Sequence, residues 1–298
     1  MRMKFFLSVL VGLLAICVVL PNSLIAAEPA NPPKKPAWVG MPPHAVEVAP
    51  GIFYLGAAIH KGRVVEGYAI ITPAKKRPAK QGCNNNDICE KGENKNSCVD
   101  CADRGVDPDT RKCYGHLARG TKWKTTKDYV VNNSNNWGIR STFILHTLDM
   151  SITKWEIAAD VDPETFGRGK RTHKTLVADH HMPDGVNEVY FDSLHPGTIA
   201  YTVVWGIFKG PVSQRELVEW DQVYNDNLPW SVCDPDCPGA YDFESIATHE
   251  TGHSFGMEDL YRKKCSDQTM YGYGFPDDTS KRDLEDGDMN GIWILYNE

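Results

Sequence analysis

The stretch HETGHSFGMED, which begins at His249, constrains the fold more than any other part of the chain. Residues four apart lie on one face of a helix, so His249 and His253 would present two imidazoles to one point. Glu250, rotated by about a quarter turn, can reach a metal-bound water without being a ligand. Gly256 can adopt the left-handed geometry that ends a helix, which would return Asp259 towards the histidines. The stretch therefore predicts a zinc site with three protein ligands and an open fourth position, as catalytic zinc requires.

Two other interpretations of this stretch are a zinc site that only holds the fold and an ordinary charged helix. Short motifs occur by chance, so the two histidines and the glutamate alone leave the charged helix open. The glycine and the aspartate at their offsets favour a metal site. Met270, in the Gly-rich segment CSDQTMYGYG that follows the third candidate ligand, favours it further.

The composition is that of a globular protein that does not bind nucleic acid. The chain has 298 residues, of which 41% are hydrophobic and 24% charged, so it can build a sizeable apolar core. Its formal net charge is -7, and it has no clustered basic segment. A nucleic-acid surface would need such a segment, so this class of partner is excluded.

The N-terminus predicts export. Arg2 and Lys4 precede the apolar run Phe5–Leu20, and small residues then offer a cleavage site near Ala26 or Ala27. This is the pattern of a secretory signal peptide over residues 1–27. An uncleaved membrane anchor is the alternative, but the apolar run is short for a span. We therefore expect a secreted protein that has no membrane segment once the signal is removed.

The cysteines favour disulfide bonds. The sequence has nine, and removal of Cys17 with the signal leaves an even number in an exported chain. Cys233 and Cys237 are close enough to pair, which leaves Cys113 and Cys265 as one candidate long-range bridge. The alternative is a metal knot built on the C-x-x-C pair in the cysteine-rich segment. The eight remaining cysteines are Cys83, Cys89, Cys98, Cys101, Cys113, Cys233, Cys237 and Cys265.

Sequence periodicity gives a coarse secondary structure. Short β-prone runs separated by glycines over Val46–Pro73 predict a hairpin or meander. Asp128–Asn133 and the strongly apolar Ile199–Trp205 are strand candidates, as is NEVYF. Apolar residues at helical spacing over Ile144–Ala159 predict an amphipathic helix. The stretch DFESIATHETGHSF predicts a helix that Asp242 would cap, and DLEDGDMNGIWILYN predicts a closing helix.

These motifs resemble those of a known protease family. H-E-x-x-H-x-x-G-x-x-(H or D) followed by a methionine turn is the pattern of the metzincin metalloproteases. Within them the chain is most similar to the matrixins, the matrix-metalloproteinase group, in a prokaryotic-type branch. TMYGYG is similar to the methionine turn, KRDLEDGDMNGIWILY to the closing helix, and YVVNNSNNWG and IAYTVVWG to the first and edge strands. The resemblance extends from about Trp123 to the C-terminus and does not cover the cysteine-rich segment.

The resemblance implies an α+β fold: a metzincin-type catalytic domain in which a twisted mixed sheet packs on helices, among them the active-site helix and a C-terminal helix. The expected organisation is a signal peptide over 1–27, a β-rich segment over 28–80, a cysteine-rich disulfide module over 81–113 and a metalloprotease catalytic domain over 114–298. The β-rich segment is either a prosegment or an accessory β unit.

The resemblance also implies a function, that of a secreted zinc-dependent endopeptidase acting on protein or peptide substrates. His249, His253 and Asp259 would bind zinc, Glu250 would activate a zinc-bound water as general base, and Met270 would lie beneath the metal. An extended substrate would pair with the main chain of the apolar strand IAYTVVW.

The sequence departs from the family pattern at several positions. Asp259 stands where most matrixins have a histidine, and Gly272 stands where some metzincins have a tyrosine. A second, structural zinc is not expected, because Val177 stands where a histidine ligand would be. A calcium site near Asp184 is a separate prediction. No P-R-C-G cysteine switch precedes the domain.

Two alternatives stay open. The first is a catalytically weak or inactive extracellular metal-binding or adhesive protein on the same scaffold, although the retained Glu250 speaks against it. The second is a different class of zinc hydrolase, whose third ligand is a glutamate on a later helix. Glu285 is the candidate for that ligand.

Overall fold

A mixed β-sheet with helices packed on it forms the body of the protein in the computed structural model, which describes residues 41–75, 110–234 and 237–298. The strands are β1 Val46–Ala49, β2 Ile52–His60, β3 Arg63–Pro73, β4 Tyr129–Asn132, β5 Gly169–Arg171, β6 Asn187–Asp192, β7 Thr198–Ile207 and β8 Glu216–Asn225, with the two-residue pair β9 Trp230–Ser231 and β10 Tyr241–Asp242. The α-helices are α1 Ser141–Ala159, α2 Phe243–Ser254 and α3 Asp286–Asn297.

The sheet combines an antiparallel half with a parallel half. Its strand order is β1-β2-β3-β7-β8-β6-β4-β5. Neighbours from β1 to β8 are antiparallel, and the pairs β8–β6, β6–β4 and β4–β5 are parallel. The α+β class and the mixed sheet expected from the resemblance are confirmed.

Apolar side chains cover both faces of the sheet. One buried cluster lies between the sheet and the helices and includes Trp155 of α1, Phe243 of α2 and Leu295 of α3. A second cluster joins β2 and β3 to β7 and to neighbouring strands, and its members include Phe53 and Trp205. The helices therefore pack on one face, while the second cluster ties the N-terminal strands to the rest of the sheet.

Most of the expected elements are present, but one strand has a different place. The meander over Val46–Pro73, the helix over Ile144–Ala159 and the two later helices are confirmed. The apolar strand Ile199–Trp205, expected at an edge, lies inside the sheet as part of β7. The edge expectation is wrong for this chain because β3 pairs along the side of β7 that β8 leaves free.

Two disulfide bonds are present among the described residues, Cys113–Cys265 and Cys233–Cys237. Both pairings expected from the sequence are confirmed. The predictions of a signal peptide over 1–27 and of bridges or a metal knot over Cys83–Cys101 lie outside the described residues. Within the described ranges, no helix combines the length and hydropathy that a membrane span needs.

The Cys113–Cys265 bridge closes a loop with a sequence separation of 152 residues, and we expect its loss to destabilise the fold. Replacing both cysteines with serine should lower the free energy of unfolding by about 2–5 kcal/mol, measured by denaturant titration. Removing the Cys233–Cys237 bridge, with a separation of 4, is the matched control and should cost less. The reverse order of the two effects would contradict this prediction.

Candidate metal centre

Helix α2 carries the two histidines and the glutamate of the motif. It begins after Asp242, whose carboxylate accepts hydrogen bonds from the amide and hydroxyl of Ser245 at 3.0 and 2.9 Å. Arg282 donates to the same carboxylate at 2.7 and 2.8 Å, so the cap is itself held in place. The expected capping by Asp242 is confirmed, and it fixes the start of the helix on which the site is built.

Gly256 ends the helix and turns the chain back. Its φ is +100°, a conformation that side chains rarely adopt, and a Cβ there would lie 2.9 Å from the carbonyl oxygen of Thr121. The turn brings Oδ1 of Asp259 to 3.3 Å from Nε2 of His249 and 3.5 Å from Nε2 of His253. The structure therefore brings the three candidate ligands together.

The geometry of this cluster fits a tetrahedral zinc ion. Bonds of about 2.0–2.1 Å at tetrahedral angles separate ligand atoms by about 3.3 Å. Nε2 of both histidines and Oδ1 of Asp259 are buried, and none has a hydrogen-bond partner. Buried polar atoms are normally paired, so three unpartnered lone pairs that converge on one point indicate a cation-binding site.

Neighbouring groups orient each candidate ligand. Nδ1 of His249 lies 2.7 Å from the carbonyl oxygen of Thr269, and Nδ1 of His253 lies 3.0 Å from that of Met257. These contacts place the ring protons on Nδ1 and leave Nε2 free as a ligand. The hydroxyl of Tyr261 lies 3.0 Å from Oδ2 of Asp259, which leaves Oδ1 for the metal.

The electrostatics of the cluster suit a cation. Burial lowers the pKa of His249 to about 4, and the nearby Lys281 acts in the same direction. Burial alone would raise the pKa of Asp259, but His253 and His249 outweigh it and hold that pKa well below its usual value. His249 is thus neutral and Asp259 ionised near neutral pH, the states in which both groups bind metals.

Glu250 lies beside the cluster but is not one of its three candidate ligands. Its Oε1 accepts a hydrogen bond from the hydroxyl of Thr72 at 2.7 Å, and its Oε2 accepts one from Thr202 at 2.6 Å. All three side chains are fully buried. Burial raises the pKa of Glu250, while His253 and the two hydroxyls act in the opposite direction.

Met270 packs against helix α2. A Cβ added at Gly252 of α2 would collide with the sulfur of Met270. Asp288 of α3 fixes the backbone of this turn, since its carboxylate accepts from the amides of Thr269 at 2.7 Å and Met270 at 3.1 Å. The alternative ligand Glu285 lies elsewhere, because it caps α3 in a capping box with Asp288.

Asp184, the residue expected at a calcium site, lies with Asp179 and Glu219 in a second acidic group. The amide of Asp184 donates to Asp179 at 2.5 Å and to Glu219 at 3.2 Å, so backbone donors already serve these carboxylates. Calcium binding at Asp184 therefore has no support beyond the sequence.

Four residues that contact the site were not expected from the sequence: Thr72, Thr202, Tyr261 and Lys281. Thr202 could have been identified from the sequence, because it is a polar residue within an otherwise apolar strand. Thr72 occupies a similar position in β3. Nothing in the local sequence marks Tyr261, or the buried Lys281, which donates to the Thr269 carbonyl at 2.6 Å.

A matrixin family model matches residues 121–297 of the chain. A comparison with curated proteins finds no match. The matched range includes the three candidate ligands, Glu250 and Met270, and ends within α3. Since this range is more than half of the chain, the protein belongs to the matrixin family of zinc metalloproteases.

Proposed function

We propose that the protein is a secreted zinc-dependent endopeptidase. One observation carries the proposal above all: the buried, unpartnered ligand atoms of His249, His253 and Asp259 converge beside a glutamate that is not one of them. A structural zinc would be expected to have four protein ligands, whereas a catalytic zinc keeps one position for water or substrate. The membership of the matrixin family supports the same conclusion.

Each residue has a separate task in this proposal. His249, His253 and Asp259 would hold the zinc, which when bound would act as a Lewis acid and lower the pKa of water towards neutrality. Glu250 would accept a proton from the attacking water and pass it to the leaving amine, because its carboxylate lies beside the three proposed ligands without being one of them. Thr202 orients that carboxylate by its hydrogen bond to Oε2.

The proposed substrate is an extended peptide that pairs with β7 on the side that β3 occupies in this structure. Main-chain pairing of this kind gives affinity without demanding a particular sequence. β7 crosses the site at Thr202, so a peptide paired with it would pass directly over Glu250. In this proposal, residues 114–298 form the catalytic domain, and residues 81–113 form a disulfide module.

Secretion is the second part of the proposal. The signal-peptide pattern of residues 1–27 supports it, and the disulfides Cys113–Cys265 and Cys233–Cys237 are compatible with an oxidising compartment. An analysis of the mature N-terminus after expression with the complete signal tests this part.

Removal of zinc tests the enzymatic part. We expect one zinc ion per chain and hydrolysis of a peptide library that a chelator abolishes and added zinc restores. The assay uses the full chain, intact and after cleavage at a specific-protease sequence inserted behind Lys75. Zinc bound at one equivalent with no hydrolysis in either form would favour the alternative, an inactive metal-binding protein.

A further inference from the structure

The end of β3 lies in a groove between two other segments of the chain. On one side Thr72 pairs with Ala200 of β7 in antiparallel register. On the other side Ala74 forms a parallel bridge with Gly274, and the amide of Lys75 donates to the Gly274 carbonyl at 3.3 Å. Main-chain pairing along both edges is how a groove would hold an extended peptide.

The same segment closes the site over the proposed general base. The hydroxyl of Thr72 donates to Glu250 at 2.7 Å, and Thr202 engages the other carboxylate oxygen. Glu250 has no exposed surface. A base held in this way has no access to an attacking water or to a scissile carbonyl.

Two further contacts link the N-terminal strands to the surroundings of the metal centre. The hydroxyl of Tyr261 lies 3.0 Å from Oδ2 of Asp259 and 3.1 Å from the carbonyl oxygen of Pro50, in the turn between β1 and β2. The ammonium of Lys75 lies 3.3 Å from the centre of the Tyr273 ring, a cation–π contact. The β1–β2 turn and the residue that follows β3 and Ala74 thus both contact residues near the centre.

Apolar packing keeps these strands in place. Phe53, Val65 and Ile71 belong to the second buried cluster, together with Tyr201 and Trp205 of β7. Their burial makes spontaneous opening of the intact chain rare, because each side chain would have to enter water.

We infer that residues 63–75 are an intramolecular ligand of the peptide-binding groove, so that the full chain is a latent form and becomes active when these residues leave. This inference rests on the proposed function of the metal centre. A permanent accessory strand at this place would leave Glu250 buried against Thr72 in every state of the protein, with no route to water.

The first experiment compares intact and cut chains. A recognition sequence for a specific protease is inserted behind Lys75, and a scrambled insert of equal length is the control. Cleavage turns an intramolecular contact into a bimolecular one, so dilution should release the N-terminal fragment. Hydrolysis per enzyme should then rise roughly 10- to 100-fold, as for a protein whose open state is about 1–10% populated.

A binding measurement separates this inference from the proposed hydrolysis. A fluorescent peptide hydroxamate should bind the diluted cut chain more tightly than the intact chain, and a synthetic peptide of residues 46–75 should displace it. Tighter binding without hydrolysis upholds the occupied groove and contradicts the proposed function. Equal hydrolysis and equal hydroxamate binding by cut and intact chains at every dilution would overturn the inference.

A substitution gives a second test without cleavage. A Cβ at Gly67 would lie 2.7 Å from the indole ring of Trp205, so Gly67→Val should push β3 away from β7 and raise hydroxamate binding by the intact chain. Val64→Thr is the matched control, since Val64 lies on the same strand and is 61% exposed. A folded Gly67→Val protein that binds the probe no better than this control contradicts the inference. If Gly67→Val does not fold, the comparison of the cut and intact chains remains the test of the inference.

Discussion

Glu250→Gln is expected to bind zinc as the unmodified protein does and to lose turnover by about two to four orders of magnitude. The amide keeps the shape of the side chain, and it keeps both contacts when one of the two threonine hydroxyls accepts from the NH2 group instead of donating, but it cannot accept a proton from water. Because Glu250 is not among the three clustered ligands, zinc content should not change. Zinc analysis and peptide hydrolysis, measured on the variant and on the unmodified protein in the same cut form, test both statements.

The control for this variant is Glu244→Gln on the first turn of the same helix. Glu244 pairs with Lys154 at 2.8 Å and lies away from the metal cluster, so its amide should keep nearly full turnover. Near-normal hydrolysis by Glu250→Gln would remove Glu250 as general base and, with it, the proposed mechanism.

Asp259→Ala is expected to lose zinc. Changes in groups that merely support metal ligands already cost about 10- to 100-fold in affinity, and loss of a ligand should cost more. Loss of the carboxylate would also leave His249 and His253 as a two-ligand site with an unfilled space where Oδ1 lay. Titration with a competing chelator measures the affinity directly.

Two variants make this prediction specific. Asp259→His should retain part of the zinc affinity, since imidazole is an equivalent ligand for zinc. Glu258→Ala removes the adjacent carboxylate, which is outside the cluster, and should leave zinc binding unchanged. Unchanged zinc affinity in Asp259→Ala would show that Asp259 is not a ligand.

The clustering of the three candidate ligands was predictable because its geometry is local. Helical spacing places His249 and His253 on one face, and a glycine at position 256 is needed for the left-handed turn that returns Asp259 to them. All of these residues lie within eleven consecutive positions, and their arrangement depends on backbone conformation more than on distant contacts. For the same reason, helix α1 could be predicted from the helical spacing of its apolar residues alone.

Strand β8 was not predicted from the sequence, because the polar residues in its middle do not indicate a buried strand. Glu219, Asp221 and Gln222 lie in the middle of this strand and are buried. Asp221 accepts hydrogen bonds from the amides of Asp179 at 2.9 Å and Glu188 at 3.1 Å, partners supplied by distant loops and strands. No local pattern of polar and apolar residues can reveal a buried strand whose polar groups are satisfied from elsewhere.

The pairing of β3 with β7 could not be predicted from the sequence, for a related reason. Both segments were expected as strands, but a strand does not specify its partner, and the resemblance begins only near Trp123. The N-terminal strands lie outside that resemblance, so the place of Thr72 over Glu250 depends on a long-range contact that only the three-dimensional structure shows.

The second buried cluster has a consequence for the lifetime of the activated enzyme. Departure of β1–β3 would turn β7, which is buried along nearly its whole length, into a sheet edge with unpaired amides and carbonyls and with Tyr201 and Trp205 exposed. Exposed apolar edges pair with other chains and aggregate. Activation and inactivation would then share one cause, and each released molecule would work for a limited time before self-association removes it. The amount of proteolysis that follows each activation would therefore be limited by the time that self-association takes.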